Sequence, residues 1–381
     1  MKKIREGAAE ILVPEESVTR KAEAFYNSAM EYQRDMTMSA LRVFRGLSGK
    51  KISVCDPLAG TGIRGIRILL EVGGIGSVVF NDLNPKAAEL IRKNIELNIP
   101  AKAMKKCHVS CVNAGLLFRE NKSTFDYIDI DPFGSPLKFI SGAGAALKSR
   151  SMLACTATDT GALCGTFAGT CLRRYGIKAG KTDFYKELGI RILITATMRE
   201  LSGHGMAFEP VYSHANHYFR VVGLVRKSRQ ALAKTLKEIR EVFYCQKCLF
   251  RGLDAVPACP FCGSVVATLG PLWTGKIKDN GFCLAMLADM RTKKYPKGKE
   301  IQLCIEEIEQ PFYYDTQKLF RASGLAPKKK QETIRAIMCA GYDASPTHLS
   351  PLGIKTGASH AELVAILRKM HASPGLSGVK G

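Results

Sequence analysis

Acidic residues are scarce in this chain. Asp and Glu number 34 against 56 Lys and Arg, a formal net charge of +22. The imbalance argues against a cationic partner and for a polyanionic one, because a surface that neutralises phosphates releases condensed counterions. A basic surface also serves solubility, so charge is a first criterion and not a proof. Long apolar runs are missing too: none approaches the roughly 20 residues that span a bilayer. The N-terminal stretch MKKIREGAAEILVPEE carries acids and no continuous apolar segment. No secretory leader is therefore expected, and the chain reads as cytoplasmic, without a membrane partner. Tryptophan occurs once, at Trp273 in GPLWTGKI, where packing into a core is the simpler role. Nothing marks a disulfide framework: nine of the 13 cysteines are scattered, mostly beside apolar residues, as core fillers in a reducing compartment are.

What is present begins with an alternation. From Lys51 to about Val225, KISVCD, SVVFND, TFDYIDID and SMLACTAT read as strands, each a brief apolar run closed by turn or acidic residues. GIRGIRILLEV and PKAAELIRKNIELN carry helical spacing between them, with Pro85 suited to a helix start. Strand and helix in alternation predict an α/β fold with a mostly parallel, doubly wound, Rossmann-like sheet. HYFRVVGLV reads as a further strand, and SRQALAKTLKEIREVF as a helix leading out of the sheet. A chain of 381 residues is long enough for two domains. We place the boundary at 228/229, with residues 1–50 as an N-terminal extension and 229–381 as a smaller, basic α+β domain. From Arg321 to Gly381 there are nine Lys or Arg and three acids.

The segment Asp56-Pro57-Leu58-Ala59-Gly60-Thr61-Gly62 follows a predicted strand and opens a helix. Glycines there let the backbone turn tightly and approach a ligand. We read the turn as lacking a Gly-x-Gly-x-x-Gly pattern, and no Gly-Lys-Ser or Gly-Lys-Thr follows it, so neither a dinucleotide nor a P-loop phosphate is expected. Asp82 lies 22 residues after Gly60, at the end of the next strand, where a carboxylate can accept from both ribose hydroxyls. Its other reading is a helix cap ahead of Pro85. In a class I methyltransferase arrangement Asp56 would face the methionine end of S-adenosylmethionine. Asn113 and Ala114, at the next strand's turn, would edge the adenine.

Asp129-Ile130-Asp131-Pro132-Phe133-Gly134-Ser135-Pro136 ends the following strand. An exocyclic amine on a nucleobase is a poor nucleophile because its lone pair is delocalised into the ring. A carboxylate that accepts its N–H localises the pair and aims it. Asp131 supplies that acceptor, Pro132 stiffens the turn, and Phe133 offers a face for an extruded base. Asp129 shares a strand face with Asp131. The competing reading is a buried Asp capping a turn and an aromatic in the core.

Cys245-x2-Cys248-x10-Cys259-x2-Cys262 sets four thiolates at the spacing of a closed, structural Zn2+ site. Iron would use the same thiolates. Lys328-Lys329-Lys330 is a solvated basic face or a phosphate contact.

With these pieces assembled, the chain resembles the tRNA guanine N2-dimethyltransferase family, particularly its archaeal form. FYNSAMEYQRDMTMSAL, DPLAGTGIRGIR, NDLNP, DIDPFGSP, TATDTGALCGT, CLRRYG and SHANHYFRV are similar to family stretches in the same order. The resemblance implies methyl transfer from S-adenosylmethionine to the N2 amine of guanine 26 in tRNA. It also implies that Arg34 and Arg64 join Asp82 around the cofactor, with Asp131 as the catalytic carboxylate. GYDASPTHLSPLGIKTGAS resembles the family's terminal RNA-binding region, which makes Lys355 and Thr356 candidate phosphate contacts. Three positions depart from the family pattern: Asn113 stands for the usual acid, Gln33 for Asn, and Ser28 for Pro. Another RNA amine as target, or a non-catalytic zinc-ribbon RNA-binding protein, are the alternatives. A monomer is expected.

Overall fold

The computed structural model describes residues 1–16, 22–293, 295 and 298–372. The chain opens with an antiparallel hairpin, β1 (Lys2–Glu6) and β2 (Ala9–Val13), then runs into a long helix, α1 (Glu31–Ser48). The alternation read from the sequence follows as β3 (Ile52–Asp56), α2 (Ile63–Glu71), β4 (Ile75–Asn81), α3 (Pro85–Asn98), β5 (Cys107–Ser110), α4 (Ala114–Glu120), β6 (Phe125–Ile130), α5 (Leu137–Ala146) and β7 (Leu147–Ala157). Two short helices, α6 (Thr160–Leu163) and α7 (Ala168–Tyr175), precede the long α8 (Tyr185–Ser202). An antiparallel pair, β8 (Met206–Ala215) and β9 (Phe219–Lys227), completes the sheet.

The seven strands lie in the order β5-β4-β3-β6-β7-β9-β8. The first five are parallel, and β9 pairs antiparallel with both β7 and β8, so it alone runs against the other six. This is the mostly parallel, Rossmann-like sheet that the sequence predicted. The strand order reverses between β3 and β6, so a crevice opens at their carboxyl ends. Successive residues of β6 and β7 serve opposite faces. Tyr127, Met152 and Ala154 join α1, α2 and α3 in one core, while Ile128, Leu153 and Cys155 join α4, α5 and α8 in the other.

Beyond the sheet, α9 (Arg229–Lys237) is followed by β10 (Ile239–Tyr244), β11 (Arg251–Gly252) and β12 (Ala267–Trp273), a three-stranded antiparallel sheet. The helix predicted through SRQALAKTLKEIREVF therefore stops early: IREVFY is a strand. Its residues pair along β12 and deliver Tyr244 directly into the first cysteine knuckle. Helices α10 (Asn280–Thr292) and α11 (Gly298–Glu306) come next. Last are β13 (Tyr314–Asp315), α12 (Thr316–Ala322), α13 (Lys330–Cys339), β14 (Ala344–Thr347), β15 (Ser350–Thr356) and α14 (His360–Ala372). No helix among the described residues is long and apolar enough to cross a membrane.

The last strand of the large sheet ends at Lys227, but neither core stops there. Phe282, Cys283 and Met286 of α10 pack in the core of α1, and Arg42 of α1 grips Asp289 of α10 through two 2.7 Å bonds. On the other face α8 is buried on nearly every side, as a helix covered by two layers must be. Its two buried charges, Glu187 and Arg191, bond each other, and Glu187 also accepts from the backbone N–H groups of Phe312 and Tyr313.

Lys355 completes that buried cluster, which corrects its assignment as a phosphate contact. Its side chain is 2% exposed, and its Nζ lies 3.3 Å from Glu187 and 2.6 Å from Glu307. Thr356 is likewise buried, its Oγ1 accepting from Ala358 N at 3.0 Å. Burial alone would raise the Glu187 and Glu307 carboxyls, and Lys355 with its cationic neighbours holds both below their ordinary value. Lys328 and Lys329 are exposed, and Lys330, the first residue of α13, is half-buried. Replacing Lys355 with Met should leave Glu187 with Arg191 and Glu307 with His348 as their remaining charged partners, and cost about 3 kcal/mol. Urea unfolding measures this; a loss below about 1 kcal/mol would mean that the cluster is already relaxed by water.

Candidate active site

Four strand ends build the site. Gly60 lies in the left-handed region (φ +56), and a Cβ there would stand 2.7 Å from the Phe25 carbonyl oxygen. Gly62, also left-handed, caps α2. Gly65 completes a Gly-x-Gly-x-x-Gly spacing, which corrects the expectation that this turn lacks one; a Cβ there would sit 2.2 Å from the Phe80 ring, so this glycine lets α2 close on β4. Asp82 Oδ2 accepts from Gly60 N and its Oδ1 from Asn84 N, both at 2.9 Å. The cap of α3 is Asn84, whose side chain accepts from Lys86 N. Asp82 is thus not the cap, and it is held at the rim of the glycine turn. Asn81, not singled out from sequence, ties the three neighbouring turns together. It donates to Pro57 O and Val112 O, and accepts from Ser110 Oγ and Val112 N.

Asn113 is exposed and caps α4 through Gly115 N at 2.8 Å, which uses its side-chain oxygen; Ala114 is buried just behind it. Arg34 of α1 is buried and bonded to the N-terminal hairpin: it donates to both Glu6 oxygens (2.6 and 2.5 Å), and also to Asn27 O. Glu6 in turn accepts from Arg67 and Tyr26. This cluster fixes the segment that carries Phe25, whose ring meets Phe133 edge-on at 4.7 Å. Phe133 itself is 44% exposed.

Beneath the turn lies a chain of ion pairs. Arg64 donates to Asp129 Oδ2 at 2.7 Å, to Gln33 Oε1 at 3.2 Å, and to Asp131 Oδ2. Asp129 is grasped from the other side by Arg220 of β9, at 3.0 and 2.7 Å, and accepts from Tyr127 Oη at 2.5 Å. Arg220 also donates to Thr156 and Thr37. Gln33 bonds both Thr156 Oγ1 (2.8 Å) and Asp131 Oδ2 (3.2 Å). Burial would push Asp129 up, yet Arg220 and Arg64 together hold its carboxyl well below the usual carboxylate range. Asp56, equally buried, goes the other way. Burial, with like charge from Asp129, Asp131 and Asp82, raises it to about 7 despite Arg64. Asp131 opens toward the crevice with a side chain 17% exposed, while Arg64 and Asp129 beneath it are sealed.

A carboxylate with one exposed edge and a rigid, charge-balanced base can accept a proton or an N–H bond at a fixed place. Beside it lie a glycine turn, a second carboxylate at its rim, and an exposed aromatic. A model of the N2,N2-dimethylguanosine tRNA methyltransferase family matches residues 7–368. The chain belongs to this family. It is 36% identical over 376 residues to the tRNA (guanine(26)-N(2))-dimethyltransferase of Methanothermobacter thermautotrophicus, covering 96% of this chain and 98% of that one. The Thermococcus kodakarensis protein of the same description is 33% identical over 385 residues, covering 96% and 99%. Among solved structures, Trm1 from Pyrococcus horikoshii, in complex with S-adenosyl-L-methionine, superposes with a TM-score of 0.86 at 30% identity. That match covers 96% of this chain and all of the other.

In this methyltransferase sequence patterns missed Asn81, which ties the cofactor-side turns together, and the residues that hold Asp131 from afar: Thr37, Thr156 and Arg220. Arg220 alone left a trace, as a cation in the middle of the apolar strand HYFRVVGLV. Away from the crevice, the four cysteines converge as their spacing predicted, with all four Sγ atoms within 4.8 Å of one another. The Sγ atoms of Cys245 and Cys262 lie 3.5 Å apart and those of Cys248 and Cys259 3.4 Å apart. Arg251 then locks this module to the sheet domain by donating to both Asp183 oxygens at 2.8 and 2.9 Å, with its guanidinium 3.7 Å from the Tyr314 ring centroid.

Arg220→Leu should cost about 3 kcal/mol by leaving Asp129 half-compensated, and Asp129→Asn in the same chain should recover part of that loss. Because the Asp129 carboxyl lies below its unfolded value of 3.8, the penalty should be full at neutral pH and shrink as pH falls below that value. Strictly additive losses in denaturant unfolding would show that the two residues are not coupled.

Proposed function

We propose that the chain methylates the N2 amine of guanine 26 in tRNA, using S-adenosylmethionine and forming the mono- and then the dimethylated base. The observation that carries this reading is the placement of Asp56, Asp82 and Asp131 at the carboxyl ends of three neighbouring strands around one glycine turn, in a chain of this family.

The residues fit the cofactor chemically. Gly60 and Gly62 leave room where a Cβ would strike backbone or side chain. Asp82 keeps carboxylate lone pairs for ribose hydroxyls after accepting from Gly60 and Asn84. Asp56, held near neutrality, ionises when a cation is set against it, and Ala114 with Asn113 edges the adenine. Arg64, bonded to Asp131, and Arg34, bonded to Glu6, join Asp82 in this reading of the cofactor site. S-adenosylmethionine, when bound, supplies an electrophilic methyl group. Asp131 accepts an N–H of the guanine amine, which localises the nitrogen lone pair and points it. Arg64 and Gln33 hold the carboxylate at that angle, Pro132 stiffens the turn, and Phe133 receives the extruded base. Position 26 lies inside folded tRNA, so flipping costs a few kcal/mol. Phosphate contacts, Lys328, Lys329 and Lys330 among them, offset that cost and make binding salt-sensitive.

Methyl transfer from labelled S-adenosylmethionine to unmodified tRNA tests the assignment. Label should appear as N2-methylated guanosine, fall about 100-fold or more in Asp131→Ala, and vanish when adenine replaces guanine 26. Transfer by Asp131→Ala at the wild-type rate would remove Asp131 from the chemistry, and transfer that ignores base 26 would move the target.

We further propose that Cys245, Cys248, Cys259 and Cys262 hold one structural Zn2+. Their separations suit a tetrahedron of thiolates about 2.3 Å from the metal, whose edges are about 3.8 Å. Elemental analysis of the purified protein should give one zinc per chain, and stripping it should lower the melting temperature and tRNA affinity before cofactor affinity. Metal-free protein with unchanged melting would leave the cysteines without that role, and iron in the analysis would name the other metal.

A further inference from the structure

The segment between β7 and α8 has no part in the site described above, yet it is bonded directly to the catalytic turn. Thr158 N donates to Gly134 O at 2.9 Å, and Gly134 N to Thr158 Oγ1 at 2.7 Å. One residue on, Asp159 accepts from Tyr175 Oη (2.7 Å) and Arg174 (2.8 Å), so α7 is fastened to the same turn. On this frame Phe167 is 62% exposed, a large apolar ring left in solvent next to a reaction site. It is not a loose side chain. Its backbone N–H bonds Gly161 O at 2.9 Å, and its ring lies so close to Gly161 that a Cβ there would come within 2.7 Å of it. Gly161 is therefore needed for space, to seat one side of the ring while the rest stays open.

Charge follows the same surface. From Thr158 to Lys186 there are five basic residues and two acids. Both acids are already neutralised: Asp183 is buried against Arg251, and Asp159, 10% exposed, is paired with Arg174. The exposed ionic groups, Arg173, Arg174, Lys178 and Lys181, are all cations. Gly165, with φ +76, lets the Gly180 carbonyl come within 2.1 Å of where its Cβ would be. That contact draws Lys181 beside the loop that carries Phe167. A seated aromatic among exposed cations is what single-stranded nucleic acid recognition uses: stacking for the base and point charges for the backbone. An acidic protein would engage the cations and leave the ring idle.

We propose that this surface takes a nucleotide flanking the target base, its base stacked on Phe167 and the neighbouring phosphates set against Arg173, Lys178 and Lys181. The proposal rests on the tRNA reading above and adds to it a second grip, about the displaced strand, that acts before and apart from Asp131.

The test is equilibrium binding of unmodified tRNA to the full chain at several salt concentrations, with methyl transfer measured separately. Phe167→Ala should weaken tRNA binding by roughly 5- to 100-fold, the range that base–aromatic stacking supports, while Phe167→Tyr keeps most of the affinity. Cofactor affinity and melting temperature should stay at wild-type values in both, as suits an exposed ring. Arg173→Gln with Lys181→Gln should flatten the dependence of log K on log salt by about 1.5–2. Phe167→Ala binding within twofold of wild type, or an unchanged salt slope in the double variant, overturns the proposal. Wild-type protein that binds tRNA without methylating it would sink the function proposed above and leave this comparison readable.

Discussion

A carboxylate sealed in the middle of a sheet cannot remain ionised unless cations come to it, and Asp129 is met by two. Arg64 arrives from α2 and Arg220 from β9, and the strand that carries Asp129 ends one residue later at Ile130, with Asp131 next in the turn. The ion cluster is therefore also a mechanical joint. It sets the angle between α2 and the sheet, pins the antiparallel strand β9 beneath the crevice, and through Thr37 and Gln33 draws α1 across the same point. Such a cluster contributes little net stability, since desolvation cancels much of the attraction. What it supplies is a single arrangement: any slip of β9 or α2 would leave a buried charge alone. Asp131 inherits its position from that intolerance.

Much of the fold was legible because its signals are local. Pro85 and the apolar spacing after it announce α3, and KISVCD closed by Asp56 announces a strand whose end must turn. Asp82 and Asp131 stood out because each closes a strand, so chemistry and geometry share a few consecutive residues. The four cysteines are a spacing code and needed no fold to be read. Gly65 was equally local, and the expectation that no Gly-x-Gly-x-x-Gly runs from Gly60 was wrong on the residues themselves.

The rest is long-range. Arg34 reads as an ordinary helix cation until Glu6, in a separate hairpin, is placed against it. Lys355 looks like a surface lysine in a basic tail, and only the tertiary fold brings Glu187 and Glu307 to its ammonium group. IREVF carries enough helix-compatible residues to extend α9. The partner that makes it a strand, β12, lies beyond the cysteine knuckles, so local preference had no means of weighing it. In each case the deciding contact joins residues that no window of sequence holds together.

Helix α8 has a consequence of its own for how this protein is made. It is one layer of the catalytic half and, at the same time, the floor on which the C-terminal half is laid. While a ribosome is still extending the chain, Glu187 exists without Lys355, and the far side of α8 has nothing to cover it. The nascent sheet must wait, with a charged and partly apolar helix bare, until almost the whole polypeptide has emerged. Assembly is thereby tied to the last strand, because the charge balance on α8 closes only when Lys355 of β15 arrives.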